Sequence, residues 1–92
     1  MRPTKARTLR ADEYQEKITQ WLQDGKRKKS THMIVAYDVL KNNPFPVYVN
    51  GDTSVQHKVK AFNDNEYVHA IEVYNFNMDL PSQVAQARTW NV

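Results

Sequence analysis

The residues from Thr31 to Leu40, THMIVAYDVL, include the longest apolar run of this sequence, around Met33 to Tyr37. Apolar, β-branched and aromatic side chains fill both its even and its odd positions. A strand with this pattern has to bury both of its faces, as a strand in the middle of a covered sheet does. The sequence therefore predicts a central strand at 31–40.

Two further strands are predicted downstream. A turn signal, Lys-Asn-Asn-Pro at 41–44, is followed by a shorter strand from Phe45 to Val49. Because proline donates no ladder hydrogen bond, this strand should either lie at an edge or begin pairing only after Pro46. The clearest alternation runs from Glu66 to Phe76. One face of this third strand is expected to carry Tyr67, His69, Ile71, Val73 and Asn75.

A first helix is predicted from Leu9 to Gln23, with Gly25 supplying the left-handed residue that commonly ends a helix. Its single apolar stripe has helical spacing and consists of Tyr14, Ile18, Trp21 and Leu22. A helix of this length needs packing to be stable. Two alternatives stay open at this point: the stripe docks on the chain's own sheet, or it binds a partner.

Two shorter helices complete the pattern. One has Val55, Val59 and Phe62 at helical spacing after a turn and cap region, and the other follows the cap residue Asp79, with Pro81 in its first turn. The element order is α-β-β-α-β-α. We expect an α+β fold in which about three helices pack on a small three-stranded sheet, with a hairpin between the first two strands and a parallel crossover to the third.

The chain's 92 residues correspond to one domain with an ordinary hydrophobic content of 40%. We predict a mobile basic arm at 1–8 and a single domain at 9–92, with a helix at 9–25 and a basic linker at 26–30. No cysteine is present, and no apolar run approaches the ~18 residues that span a bilayer. The expected location is the cytoplasm, with no membrane partner.

The charge is distributed unevenly. Residues 1–30 hold nine basic and four acidic side chains, whereas residues 31–92 hold four basic and six acidic ones. An anionic partner, such as nucleic-acid phosphate, would therefore meet the N-terminal third. An equally weighted alternative is a solvated linker without a partner. The candidate contacts are Arg2, Lys5, Arg7, Arg10, Lys26, Arg27, Lys28 and Lys29.

No pattern typical of an enzyme is present. His32, His57 and His69 share no ligand spacing with one another, and no cysteine can complete a metal set. Asp38 and Glu72 lie on neighbouring predicted strands, but nothing else marks them as a catalytic pair. Two glycines cannot build a phosphate-binding loop. We expect no catalytic residue, no metal and no cofactor.

Aromatic residues concentrate on the predicted strands and at the C-terminus. Most should lie in the core, but a three-stranded sheet is too small to bury all of them, and exposed tyrosine and tryptophan favour protein binding. The candidate interface residues are Tyr48, Tyr74, Phe76 and Trp90. A homodimer formed through this surface or through the second strand's edge is weighed equally against a monomer.

Four short motifs, HMIV at 32–35, PVYV at 46–49, EVY at 72–74 and MDL at 78–80, resemble those of a group of small orphan proteins encoded by tailed bacteriophages. The resemblance spans about residues 31–88 and leaves out the basic N-terminus. It implies a phage origin, while the motifs are typical of a fold and assign no activity to any residue.

A small basic phage protein without catalytic residues is expected to act by binding. The leading hypothesis is a non-enzymatic accessory protein that inhibits or redirects a host macromolecular machine, of the anti-defence type (anti-CRISPR or anti-restriction) or the host-takeover type. Its partner would be a host protein or a protein–nucleic-acid complex. The alternative is a nucleic-acid-binding accessory protein that uses the basic N-terminal third.

Overall fold

The computed structural model describes residues 11–51, 54–86 and 88–92, which form three helices and three strands. The expected α+β class and the order α-β-β-α-β-α are confirmed. The elements are α1 (Ala11–Arg27), β1 (His32–Asp38), β2 (Asn43–Val49), α2 (Val55–Asn63), β3 (Val68–Asn75) and α3 (Leu80–Ala85). The predicted arm at 1–8 lies outside the described residues. Within the described ranges no helix is long and apolar enough to cross a membrane.

The three strands form one sheet in the order β2-β1-β3, and β1 pairs antiparallel with both neighbours. The prediction of a central first strand and a β1–β2 hairpin is therefore confirmed. Since β2 and β3 are each antiparallel to β1, they run parallel to each other across it. The segment containing α2 is thus the predicted crossover between parallel strands.

The core of β1, Met33–Ala36, is completely buried, with 0% exposure at all four residues. Successive side chains of a strand point to opposite faces. Met33 and Val35 face α1, while Ile34 faces α2 and packs with Val55 and Val59. The sheet is the middle layer of three, and each of its faces supports its own hydrophobic cluster.

Helix α1 packs on the chain's own sheet, which settles the alternative left open by its apolar stripe. Ile18 and Leu22 are buried against the side chains of Met33 and Val35, and Tyr14 and Trp21 are partly buried beside them. The docking contact is thus centred on two aliphatic residues, with Trp21 at its margin.

The β1 strand ends two residues earlier than predicted. Asp38 is its last residue, and the Asp38 Oδ1 atom accepts hydrogen bonds from the backbone N–H groups of Leu40 and Lys41 at 3.0 and 3.1 Å. An aspartate that bonds the backbone two and three residues ahead forms a turn in place of a strand ladder. Val39 and Leu40 therefore lie in the turn and are exposed.

Strand β2 is an edge strand, as predicted, and begins at Asn43, two residues earlier than expected. Pro44 and Pro46 lie two residues apart, opposite Tyr37 and Val35. Proline has no N–H group, so the backbone donors that β2 directs at β1 are those of its odd-numbered residues. The backbone nitrogen of each proline is directed away from β1, toward the outer edge of the sheet. A further strand added at this edge would find no donor at either proline.

The outer edge of β3 is closed by side chains and by the C-terminal segment. The Gln83 side chain accepts from the Asn75 N–H at 2.8 Å and donates to the Asn75 carbonyl at 2.9 Å, as the backbone of a neighbouring strand would. Next along the edge, Val73 donates to Thr89 and accepts from Asn91, both at 3.0 Å. Gln83 and Thr89 are buried as a result of these contacts.

One face assignment on β3 is corrected. The register between β1 and β3 shifts between Val35 and Ala36, which leaves Ile71 as an extra residue on β3. Ile71 packs on the hydrophobic cluster between the sheet and α1, whereas Val73 belongs to the hydrophobic cluster between the sheet and α2. The two were predicted to share a face. A β-bulge adds one residue to a strand and reverses the alternation beyond it.

The predicted end of the first helix is also wrong. Gly25 lies inside α1, which continues to Arg27. Its role is to permit close packing: a Cβ atom there would lie 2.4 Å from Phe76 Cζ and 3.0 Å from Tyr48 Cε1. Only glycine lets the backbone of α1 approach these two rings so closely.

Replacing Gly25 with alanine should destabilise the protein, although alanine is the better helix former by about 1 kcal/mol. The new methyl group has to displace the Phe76 ring, and overpacking of this kind typically costs ~1–3 kcal/mol. Urea unfolding of Gly25→Ala measures the loss. Gly51→Ala is the matched control, because the nearest atom to its added Cβ lies 4.0 Å away. Equal stability of the two variants would contradict the packing role.

Candidate functional site

The main candidate surface is the basic turn, defined as Lys26–Lys29 at the C-terminal end of α1. Two backbone hydrogen bonds fix it: Ser30 N–H to the Gly25 carbonyl and Lys29 N–H to the Lys26 carbonyl, both 3.0 Å. With Lys29 in the left-handed region at a φ of 57°, this pattern is a Schellman motif. Lys26 and Arg27 are therefore helical, and the predicted 26–30 linker is corrected to the end of a helix.

Lysine at the left-handed position of this motif is costly. Glycine usually occupies it, because a Cβ atom in this conformation crowds the following carbonyl oxygen and costs roughly 1–2 kcal/mol. Lys29 therefore supplies a positive charge at this position at a cost in folding stability. Residues held in sparsely populated backbone conformations cluster at functional sites.

All four cationic side chains of the basic turn are exposed. Arg27 forms an ion pair with Asp24 one helical turn earlier. The Lys28 Nζ atom lies 4.7 Å from the centre of the Tyr48 ring, within the range of a cation–π contact. Lys26 and Lys29 form no ion pair with the described residues, so they are free to meet an external anion. The other predicted contacts, Arg2, Lys5, Arg7 and Arg10, lie outside the described residues.

The four predicted interface aromatics have different positions. Trp90 is 44% exposed at the outer edge of β3 and is available to a partner, whereas Tyr74 is only 2% exposed and belongs to the core. Tyr48 and Phe76 are half-buried and pack on the cluster below α1. The Tyr48 hydroxyl also donates to the Trp21 carbonyl oxygen at 2.8 Å. As an interface, this group reduces to Trp90.

An exposed apolar patch, which the sequence reasoning missed, lies at the end of β1 away from the basic turn. It consists of Val39, Leu40 and Tyr67, with Leu40 74% exposed. Val39 and Tyr67 are neighbours through a 2.7 Å backbone hydrogen bond. The signal was present at Asp38, whose turn-forming ability separates the last two residues of the THMIVAYDVL run from the strand.

A second candidate site is the polar cluster, defined as Tyr14, Glu72 and Tyr74 between α1 and the sheet. Glu72 is 7% exposed, and its Oε1 atom accepts from the Tyr14 hydroxyl at 2.7 Å and from the Tyr74 hydroxyl at 3.2 Å. Two clefts of about 250 Å³ each lie beside it, one lined by Arg88. Asp38, the other carboxylate considered in the sequence, lies opposite Val68, farther along β1, whereas Glu72 lies opposite Val35.

The two tyrosines of the polar cluster hold their hydroxyl protons firmly. Burial, reinforced by the hydrogen bond to Glu72, raises the pKa of Tyr14 far above its ordinary value. Burial and the neighbouring Glu72 charge likewise raise the pKa of Tyr74. Both phenols therefore act as hydrogen-bond donors to the carboxyl group. The Tyr14 bond fastens α1 to β3, whereas the Tyr74 bond lies within β3.

The three histidines do not come together. His32 lies at the start of β1, His57 on α2 and His69 on β3. Burial lowers the pKa of His32, whose Nδ1 atom lies 3.0 Å from the Thr31 hydroxyl. Within the described part of the chain, no three histidine, aspartate or glutamate side chains are grouped so that they could hold a metal ion.

The two tyrosines of the polar cluster should make the protein less stable at alkaline pH. In the unfolded chain, a tyrosine loses its proton near pH 10, whereas the folded state retains those of Tyr14 and Tyr74. The unfolded state therefore binds fewer protons above pH 10, and the free energy of unfolding should fall as pH rises from there. Tyr14→Phe should lose about 1–3 kcal/mol at neutral pH and show a shallower fall above pH 10. Urea unfolding between pH 7 and 11 compares the slopes, and identical slopes would contradict this role.

Comparisons with protein-family models, with curated proteins and with solved structures each found no match. A function for this chain therefore has to be inferred from its own residues and their geometry.

Proposed function

We propose that this chain is a non-enzymatic bacteriophage accessory protein that binds a host macromolecular machine and inhibits or redirects it. Anti-defence action, such as anti-CRISPR or anti-restriction, and host takeover are the classes that fit such a protein. The contact surface is the basic turn, Lys26–Lys29. The partner is a host protein or protein–nucleic-acid complex that presents a negatively charged surface.

The observation that carries the proposal is the left-handed lysine. Lys29 has a φ of 57° at a position where glycine would be less strained. The Schellman hydrogen bonds hold this lysine and its three cationic neighbours at the rigid end of α1. A solvated linker has no need for such a fixed array, whereas a docking surface loses less entropy on binding when its charges are already in place.

A comparison of lysine with glycine separates a functional from a structural role at this position. Lys29→Gly relieves the backbone strain and should raise the free energy of unfolding by about 1 kcal/mol. The same substitution removes a charge and should weaken partner binding. A Lys29→Gly variant that is less stable than the parent chain would contradict the backbone strain assigned to Lys29. A more stable variant with undiminished binding would contradict the function of the lysine.

Capture from bacterial lysate tests the proposed partner class. The tagged full chain should retain a protein or protein–nucleic-acid complex that is lost when Lys26, Arg27, Lys28 and Lys29 are all replaced by alanine. A matched control removes four other exposed cations, Lys17, Lys41, Lys58 and Lys60, and should retain the partner. Equal loss in both variants would show that binding depends on net charge alone, and retention by both would remove the basic turn from the interface.

The exposed charge of the basic turn also favours a second candidate, a nucleic-acid-binding accessory protein. Direct phosphate contact predicts a definite salt dependence. The logarithm of the binding constant for duplex DNA should fall by about 0.9 per log unit of salt concentration for each neutralised phosphate. Gel shifts with duplex DNA and with RNA at two salt concentrations measure this slope. Replacing all four residues of the basic turn with alanine should reduce the magnitude of this salt slope by up to about 3.6. No affinity at low salt would exclude this candidate.

A further inference from the structure

The described part of the chain contains an apolar groove between α1 and α3 that its own side chains leave partly open. Leu22 lies at its base, Leu80 and Val84 form the α3 wall, and Thr19 and Lys26 lie along the α1 rim. Its volume is about 480 Å³. This is within the roughly 300–1,000 Å³ typical of sites that bind a ligand.

The groove stays open because α3 is short and fixed in place. The helix has only six residues. The Gln83 side chain is committed to the edge of β3 through its hydrogen bonds with Asn75, so α3 cannot rotate to cover α1 without breaking them. Leu80 and Val84 remain only half-buried. The groove is therefore built into the fold.

The charge around the groove is positive at one end. Lys26 lines the groove, is exposed and forms no ion pair with the described residues; it is also the first residue of the basic turn. The carboxylate next to the α3 wall belongs to Asp79. Its Oδ2 atom already accepts from the Ser82 N–H at 3.0 Å and from the Ser82 hydroxyl at 2.5 Å. A ligand that fills the groove would thus be matched by an apolar base and an unpaired cation.

We propose that this groove binds a short acidic, amphipathic segment of a partner protein. Apolar side chains of the segment would occupy the space above Leu22, and a carboxylate would pair with Lys26. This inference rests on the proposed function and specifies the chemistry of its partner. The chain's own N-terminal residues fit poorly, since residues 1–10 carry four basic side chains and no acidic one.

The size of the groove limits the segment. The α1 rim extends from Thr19 to Lys26, eight residues whose seven steps rise about 10 Å along a helix axis. This length accommodates two turns of a partner helix, with apolar anchors at positions i and i+3 or i+4. The carboxylate should follow or precede these anchors by about one turn, because Lys26 lies at the end of the groove.

Selection from a display library of random 12-residue peptides on the full chain tests the proposal. Enriched peptides should combine paired apolar residues at helical spacing with aspartate or glutamate. Their affinity, measured by fluorescence anisotropy with synthetic copies, should fall at least about tenfold for the Thr19→Glu, Lys26→Glu double variant. The control is Gln56→Glu with Lys58→Glu, which makes the same change in charge at exposed positions of α2 and should alter affinity less than about twofold.

Each other outcome overturns the proposal. No enrichment, enriched peptides that are basic or uncharged, or equal loss of affinity in both double variants would exclude an acidic segment in this groove. A dimer that light scattering detects for the parent chain and that dissociates in the Thr19→Glu variant would identify a second copy as the occupant of the groove. A lysate partner retained by Thr19→Glu while no peptide is selected would exclude the groove and leave the proposed function intact.

Discussion

The structure depends on the need to cover both faces of Met33–Ala36. Four consecutive residues without any exposed surface leave the strand no face for water. It can exist only with a helix on each side and a strand at each edge. Ile18 and Leu22 of α1 supply one cover, and Val55 and Val59 of α2 supply the other. Helix α3 is held to the sheet through Gln83, whose side chain is hydrogen-bonded to Asn75 of β3.

This constraint determines which surfaces remain for a partner. The large aromatic residues Tyr48, Tyr74 and Phe76 are consumed in packing α1 on the sheet, which is why three of the four predicted interface residues lie wholly or partly inside. The surfaces that remain outside include the charge at the end of α1 and the apolar groove beside it, together with Trp90 and the exposed patch around Leu40. Close packing of α1, made possible by Gly25, therefore fixes the basic turn relative to the sheet.

The parts of the fold that the sequence predicted correctly depend on local chemistry. The central strand followed from its two apolar faces, the edge position of β2 from Pro46, and the start of α3 from Asp79, whose side chain caps the helix at Ser82. The early end of β1 was a local signal at Asp38 that went unused, whereas the other errors concern contacts between distant residues. Gly25 is compatible with ending a helix or with lying beside a ring, and only the position of Phe76 decides. Ile71 becomes a bulge because the register between β1 and β3 shifts there and leaves it without a partner on β1. The basic turn was found by its charge, but its rigidity depends on backbone angles that a lysine pattern does not reveal.

The edges of the sheet have a consequence for the chain at high concentration. Fibrils grow when each copy offers a row of free backbone groups on which the next copy stacks. On β3 the outward amides of Ala70, Val73 and Asn75 are taken by Asn63, Thr89 and Gln83. On β2 two prolines interrupt the row of donors. Continuous stacking of copies through both edges of the sheet would first require loss of these contacts on β3, so a protein with exposed valine, leucine and tryptophan has one closed edge against cross-β growth while it remains folded.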